Sequence, residues 1–217
     1  MSSREKNNIA NISGIRVGLG QPPVLIAGPC VIENYDLILS IAAELQRICI
    51  RRQIPYIFKA SYSKANRTSG ESYSGPGLDE GLSILQAVKR ELELPVLTDV
   101  HETLEVAAVA EVVDVLQIPA FLCRQTALIQ AAAATGLPVN LKKGQFVSPY
   151  QMKLAAGKAE QAGNDNIILT ERGTFFGYGD LVVDMRNLKT MADYGYPVLY
   201  DATHSVQQPG GLGSSSG

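Results

Sequence analysis

The chain has no charge excess of either sign: 19 Lys and Arg stand against 21 Asp and Glu, leaving a formal net charge of −2. With a pI near 5.7, nothing global draws it to nucleic acid or to an anionic membrane surface. Cysteine is scarce too. Cys30, Cys49 and Cys123 are odd in number, widely spaced and free of any CxxC pair, which argues against a disulfide framework and suits a reducing compartment. The opening Met1-Ser2-Ser3-Arg4-Glu5-Lys6-Asn7-Asn8 lacks the apolar stretch of a signal peptide. The long uncharged run from Gln125 to Leu141 is broken by Gln, Thr, Asn, Gly136 and Pro138, so no membrane span is expected. These absences describe a soluble, cytoplasmic protein.

What is present is an alternation. With 217 residues, 46% of them hydrophobic, the chain can bury a sizeable core. Val24-Leu25-Ile26-Ala27-Gly28 is a short apolar run, and Leu37, Ile38, Ile41, Leu45 and Ile48 follow at helical spacing between Asn34 and Arg52. The unit recurs. Strands are expected at 55–58, 95–98, 113–116, 138–141, 167–170 and 197–200, and helices at 78–93, 102–112, 124–135, 148–162 and 181–194. Strands that are apolar nearly throughout and alternate with helices indicate a parallel sheet covered by helices, closed as a barrel or doubly wound. Ahead of them, Ile15-Arg16-Val17-Gly18 suits a small strand or hairpin at the barrel bottom.

The polar residues choose between the two. Cys30, Lys59, Asp99, His101, Gln117, Lys142, Arg172, Asp201 and His204 all fall at or just after the C-terminal end of an expected strand. In a barrel those ends share one mouth, whereas a doubly wound sheet converges only at its switch point. The expectation is therefore a single (β/α)8-type (TIM) barrel domain over residues 1–217, with seven of the eight strands present and the C-terminal end incomplete.

Lys59, Lys64, Arg67, Lys142 and Arg172 place five cations around that mouth, enough to oppose a ligand set of total charge about −5, such as two phosphate monoesters and a carboxylate. Lysine gives a compact charge and arginine a planar fork, a mixture suited to phosphate and carboxylate together. His101 and His204 are the only histidines, and Cys30 occupies the corresponding place after the first strand. A thiol with an imidazole is a usable pair for a divalent transition metal, although two ligands alone do not make a tight site and histidines that cap helices are at least as common. Cys49 and Cys123 lie within helical segments and are assigned to packing, and Gly75-Pro76-Gly77 to a turn.

The strings Ala27-Gly28-Pro29-Cys30, Phe58-Lys59-Ala60-Ser61, Lys64-Ala65-Asn66-Arg67-Thr68, Thr98-Asp99-Val100-His101-Glu102, Gln117-Ile118-Pro119-Ala120-Phe121, Leu141-Lys142-Lys143-Gly144, Glu171-Arg172-Gly173-Thr174 and Asp201-Ala202-Thr203-His204 occur in that order. Together they resemble the 3-deoxy-D-manno-octulosonate 8-phosphate synthases. The resemblance implies condensation of phosphoenolpyruvate with D-arabinose 5-phosphate, releasing phosphate, in lipopolysaccharide precursor synthesis. It implies that Lys59, Lys64, Gln117, Lys142 and Arg172 hold phosphoenolpyruvate, that Asn66, Arg67 and Thr68 hold the pentose phosphate, and that Asp99, His101, His204 and Lys64 serve catalysis. A homotetramer is implied, with the Asn66-Arg67-Thr68 loop reaching a neighbouring subunit's site.

Cys30 stands where the metal-independent branch of that family carries asparagine, so this chain is similar to the metal-dependent branch. A divalent ion such as zinc, iron or manganese is then expected on Cys30 and His204, with no organic cofactor. The family's other two ligands belong to an eighth strand and its loop, beyond Gly217. Thr68 replaces a usual serine, and Gly179-Asp180 alters a loop commonly rich in asparagine. An alternative reading is a catalytically inactive barrel fragment that at most binds sugar phosphates or co-assembles with full-length subunits, and little synthase activity is expected of residues 1–217 alone. A third is another phosphate-handling barrel that forms a Schiff base on Lys59 or Lys142.

Overall fold

The computed structural model describes residues 9–65, 73–175, 179–208 and 211. An antiparallel hairpin comes first, β1 (Ile9–Ile12) with β2 (Ile15–Gly18). Seven parallel strands follow: β3 (Leu25–Ala27), β4 (Tyr56–Lys59), β5 (Val96–Asp99), β6 (Val115–Ile118), β7 (Val139–Lys142), β8 (Ile167–Glu171) and β9 (Val198–Tyr200). They pair strictly in chain order, as repeated right-handed βαβ crossovers require. The helices are α1 (Tyr35–Arg52), α2 (Leu78–Leu92), α3 (Val106–Ala110), α4 (Thr126–Ala134), α5 (Pro149–Gln161) and α6 (Arg186–Asp193). The sheet is thus a curled, partly closed barrel wall with helices outside. The fold is the expected TIM-barrel type, with seven strands and the hairpin in place.

The prolines that enter the strands explain part of this register. Pro55, Pro95, Pro138 and Pro197 have no amide to contribute, yet each carbonyl accepts from a neighbouring strand, from Leu25, Phe58, Leu116 and Leu169 respectively, at 2.9 to 3.0 Å. Helix starts follow local chemistry. Asn34 caps α1 by accepting from the Leu37 amide at 2.9 Å, and Ser148 with Gln151 forms a reciprocal capping box ahead of Pro149.

Two helices are shorter than the sequence pattern suggests. The expected helix over 102–112 is only Val106–Ala110, because the Glu105 carboxylate instead gathers the Tyr62 hydroxyl at 2.7 Å and the amides of His101 and Glu102. The one expected over 181–194 begins at Arg186. Val182 is taken by backbone pairing with Thr174, and Asp184 accepts from the Arg186 amide at 3.0 Å.

Side-chain alternation divides each strand between two environments. Phe58, Val96, Leu116, Ile118, Val139, Leu141, Ile167 and Leu169 face the helices and make the larger core. Ile57, Leu97, Val115 and Ile168 form a second cluster with Ala10, Ile12 and Val17 of the hairpin, which closes the barrel bottom. Asn166 holds the hairpin through the Asn11 amide and carbonyl, at 3.1 and 2.9 Å. One period of two further along, the same inward face carries Lys59, Asp99, Gln117, Lys142 and Thr170. The fold therefore places an apolar floor under a polar mouth. At the wall's two margins, β3 and β9 both line a cleft of about 740 Å³ that continues into this mouth.

Candidate active site

The mouth is built from two connected clusters. In the first, the buried Asp99 carboxylate at the end of β5 receives the Ser61 hydroxyl, His101 Nε2 at 3.2 Å, Lys64 Nζ at 3.7 Å and Lys59 Nζ at 3.8 Å. Ser61 also accepts from Lys59 at 2.9 Å and Lys64 at 2.6 Å, so one hydroxyl bridges two ammonium groups and a carboxylate. His101 meets the fully buried Tyr62 edge to face, with ring centroids 5.7 Å apart, and Tyr62 is anchored on Glu105.

Burial by itself would raise Asp99, but Lys59, His101 and Lys64 outweigh it and hold the carboxyl well below its usual range. Lys59 responds in the opposite sense. Burial lowers its ammonium to about 8, because the nearby Asp99 only partly offsets the loss of solvent and the neighbouring Lys64 and Lys142 add to it.

In the second cluster, Asp201 follows β9 and is fixed by its own amide donating to the Glu171 carbonyl at 2.9 Å. Its Oδ2 lies 2.5 Å from Lys142 Nζ and 2.7 Å from His204 Nδ1, while Oδ1 accepts from the His204 amide at 3.0 Å. Burial opposes the charge on Asp201, yet His204 and Lys142 keep the carboxyl far below its ordinary value. With Nδ1 engaged, the other imidazole nitrogen is left for Cys30. The Cys30 thiol is brought down to about 6, chiefly by its hydrogen bond to His204, with Lys64 and Lys59 assisting against partial burial.

Arg172 completes the cation set. It is buried beside Asp201 and Lys142, and its Nε and Nη1 have no hydrogen-bond partner among the described residues. A buried guanidinium with free donors is chemically incomplete until an anion reaches it.

The structure thus brings together Cys30, Lys59, Lys64, Asp99, His101, Gln117, Lys142, Arg172 and His204. Asn66, Arg67 and Thr68 lie outside the described residues. Cys49 and Cys123 are buried in packing positions as expected, but only Cys49 lies in a helix, α1, while Cys123 sits in the turn ahead of α4; Gly77 is the N-cap of α2. Asp99 and Asp201, both at the ends of expected strands, stand among the cations. Four described cations and two carboxylates leave a surplus of about two charges before Arg67 is counted.

Ser61, Asn140 and Thr170 escaped selection from sequence, and Asp201 stood there only as a strand-end residue without a role. Ser61 follows Lys59 by two residues and so shares its face, which is the signal that could have found it. As for a metal, Cys30 and His204 fit as a thiolate and imidazole pair, with Asp201 orienting the ring from behind. Among the described residues no group of three or more His, Cys, Asp or Glu is arranged to hold an ion.

A family model described as the DAHP synthetase I family matches residues 4–215. The chain is 59% identical over 203 residues to the 2-dehydro-3-deoxyphosphooctonate aldolase of a Cyanothece species, covering 94% of this chain and 74% of that protein. It is 58% identical to the proteins of the same name from Acidithiobacillus ferrooxidans, over 95% of this chain and 73% of that protein, and from Trichlorobacter lovleyi, over 95% and 76%.

Proposed function

Because the chain belongs to the DAHP synthetase I family, we propose that it condenses phosphoenolpyruvate with D-arabinose 5-phosphate to give 3-deoxy-D-manno-octulosonate 8-phosphate and inorganic phosphate. The observation that carries this reading is the convergence of Lys59, Lys142 and the unpartnered Arg172 guanidinium on one mouth, in a chain similar throughout to relatives named for that product. The comparisons favour it over an inactive fragment. It is a transferase, EC 2.5.1.55.

In the reaction, C3 of phosphoenolpyruvate bonds to the aldehyde carbon of the pentose, whose oxygen takes a proton. Water adds at C2 and gives up a proton, and the C2–phosphate bond then breaks to leave the keto acid. Lys59, Lys64, Gln117, Lys142 and Arg172 hold the enol phosphate, and Asn66, Arg67 and Thr68 the sugar phosphate. Holding both anions at fixed cations supplies the electrostatic work of bringing them together and aligns the reacting carbons. In this reading Asp99, His101 and His204 move the protons, with Lys64 beside Asp99 in support. A divalent ion on Cys30 and His204 would supply Lewis acidity.

The reading extends to a homotetramer. No helix among the described residues is long and apolar enough to cross a membrane, in keeping with a cytoplasmic biosynthetic enzyme.

The decisive measurement is phosphate release with both substrates present and with each alone. Release that needs no pentose phosphate, or none at all from the enzyme in its full natural length, overturns the assignment. Arg172→Ala is expected to weaken phosphoenolpyruvate by about 1.5–3 kcal/mol and Arg67→Ala to do the same to arabinose 5-phosphate. Equal losses for both ligands in both variants would contradict the division of roles.

The metal assignment has its own readout. Cys30→Ala should lower bound divalent metal in the purified protein, whereas Cys49→Ala and Cys123→Ala leave it unchanged. Elemental analysis of the three variants decides this.

A pH dependence also follows. Lys59 loses its proton in the free protein as pH rises through about 8, so kcat/KM for phosphoenolpyruvate is expected to fall on the alkaline side with that midpoint. A profile flat to pH 10 would remove the Lys59 charge from binding.

A further inference from the structure

Gln117 is the one uncharged side chain proposed to hold the enol phosphate, and an amide can serve an anion only with its nitrogen. Which end of the amide faces the mouth therefore decides whether Gln117 helps or repels. Its surroundings pull the wrong way: it lines the same cleft as Lys59 and Lys142, and two ammonium groups attract the carbonyl oxygen.

The strands behind it supply the opposite instruction. Gln117 on β6 is in direct register with Asn140 on β7, and Asn140 with Ile168 on β8, so Thr170 stands one inward position beyond. The Thr170 hydroxyl donates to Asn140 Oδ1 at 2.7 Å, and Asn140 Nδ2 donates to Gln117 Oε1 at 3.0 Å. All three side chains are buried, and the donors run from Thr170 to Asn140 to Gln117. This relay fixes Gln117 Oε1 toward the wall, and no hydrogen bond among the described residues uses Gln117 Nε2.

We infer that Asn140 and Thr170 are positioning residues, which lock the Gln117 amide with its nitrogen toward the mouth as a donor for an anionic oxygen of phosphoenolpyruvate. The inference rests on the function proposed above and adds residues to it. Without the Thr170 hydroxyl, Asn140 is free to turn over, and the Gln117 carbonyl then swings toward Lys59 and Lys142. The site keeps its cations and loses one oriented donor.

The test is calorimetric titration of the full-length enzyme with phosphoenolpyruvate and, separately, with arabinose 5-phosphate, together with KM and kcat. Thr170→Val, which keeps the shape and deletes the hydroxyl, should raise Kd and KM for phosphoenolpyruvate about tenfold. Affinity for arabinose 5-phosphate should stay within about twofold, and Thr170→Ser should restore the wild-type value. General loosening of the fold would weaken both ligands alike, and that result overturns the relay, as does unchanged phosphoenolpyruvate affinity in a folded Thr170→Val protein. If valine does not fold, Thr170→Ala carries the same expectation and the same refutation. A wild type that binds phosphoenolpyruvate without condensing it would overturn the proposed reaction and leave the relay standing on the binding data. A wild type that binds no phosphoenolpyruvate removes both.

Discussion

Asp99→Asn lowers kcat/KM for phosphate release by about 10²- to 10⁴-fold, the range expected when a positioned proton-transfer group is lost. The variant keeps the shape of the side chain and removes its charge. Lys59 and Lys64 then face each other across Ser61 with no carboxylate between them, and His101 loses the partner 3.2 Å from its Nε2. Burial already lowers Lys59 to about 8, and without Asp99 that ammonium is lost at still lower pH. Binding of phosphoenolpyruvate should therefore weaken along with the chemistry.

The same carboxylate carries a linkage signature. Its folded pKa lies well below the ordinary value, so its contribution to stability is present above about pH 4 and is lost as pH falls toward the folded pKa. Asp99→Asn should flatten acid unfolding in that window. A loss of activity below tenfold would show that Asp99 only shapes the cluster.

Lys143→Met costs about 3–5 kcal/mol of folding stability, seen as a lower urea midpoint with little change in slope. Lys143 and Glu171 have opposite parity to Lys142 and Arg172, so their side chains leave the mouth and enter the layer between sheet and helices. Both are fully buried, with Lys143 Nζ 3.3 Å from Glu171 Oε1. Lys143 also donates to the Gly173 carbonyl at 3.0 Å and to Thr174 Oγ1 at 2.9 Å, and Glu171 accepts from the amides of Arg172 and Gly173 at 2.9 and 2.7 Å. The pair thus ties the end of β7 to the loop that presents Arg172. Removing the ammonium strands a carboxylate whose second oxygen is already without a partner. Adding Glu171→Gln should recover more than half of the loss, since the amide oxygen can still accept from both backbone amides. A double variant no more stable than Lys143→Met would show that lost packing, and not the unpaired charge, sets the cost.

The sequence by itself determined the architecture and the composition of the site. Apolar runs entered by Pro55, Pro95, Pro138 and Pro197 are short enough to be strands, the intervening 3.6-residue periodicity makes the helices, and only a wall of parallel strands accommodates both. Chain order then puts Lys59, Asp99, Gln117, Lys142 and Arg172 at strand ends on one side. Local hydrogen bonding decided the remaining boundaries, and it reaches across the fold: Glu105 is drawn from helix formation by Tyr62, which lies 43 residues earlier in the chain.

Pairing was decided only by tertiary structure. Asp201 is an ordinary aspartate until curvature brings it 2.5 Å from Lys142, 59 residues away, and behind His204. Asp99 becomes a hub because β4 and β5 are neighbours, and Lys143 is buried while Lys142 serves the mouth because adjacent residues on a strand face opposite layers. Charge can be counted along a chain, but the pKa of each group depends on burial and on the distance to the next charge. Those quantities exist only once the wall has curved.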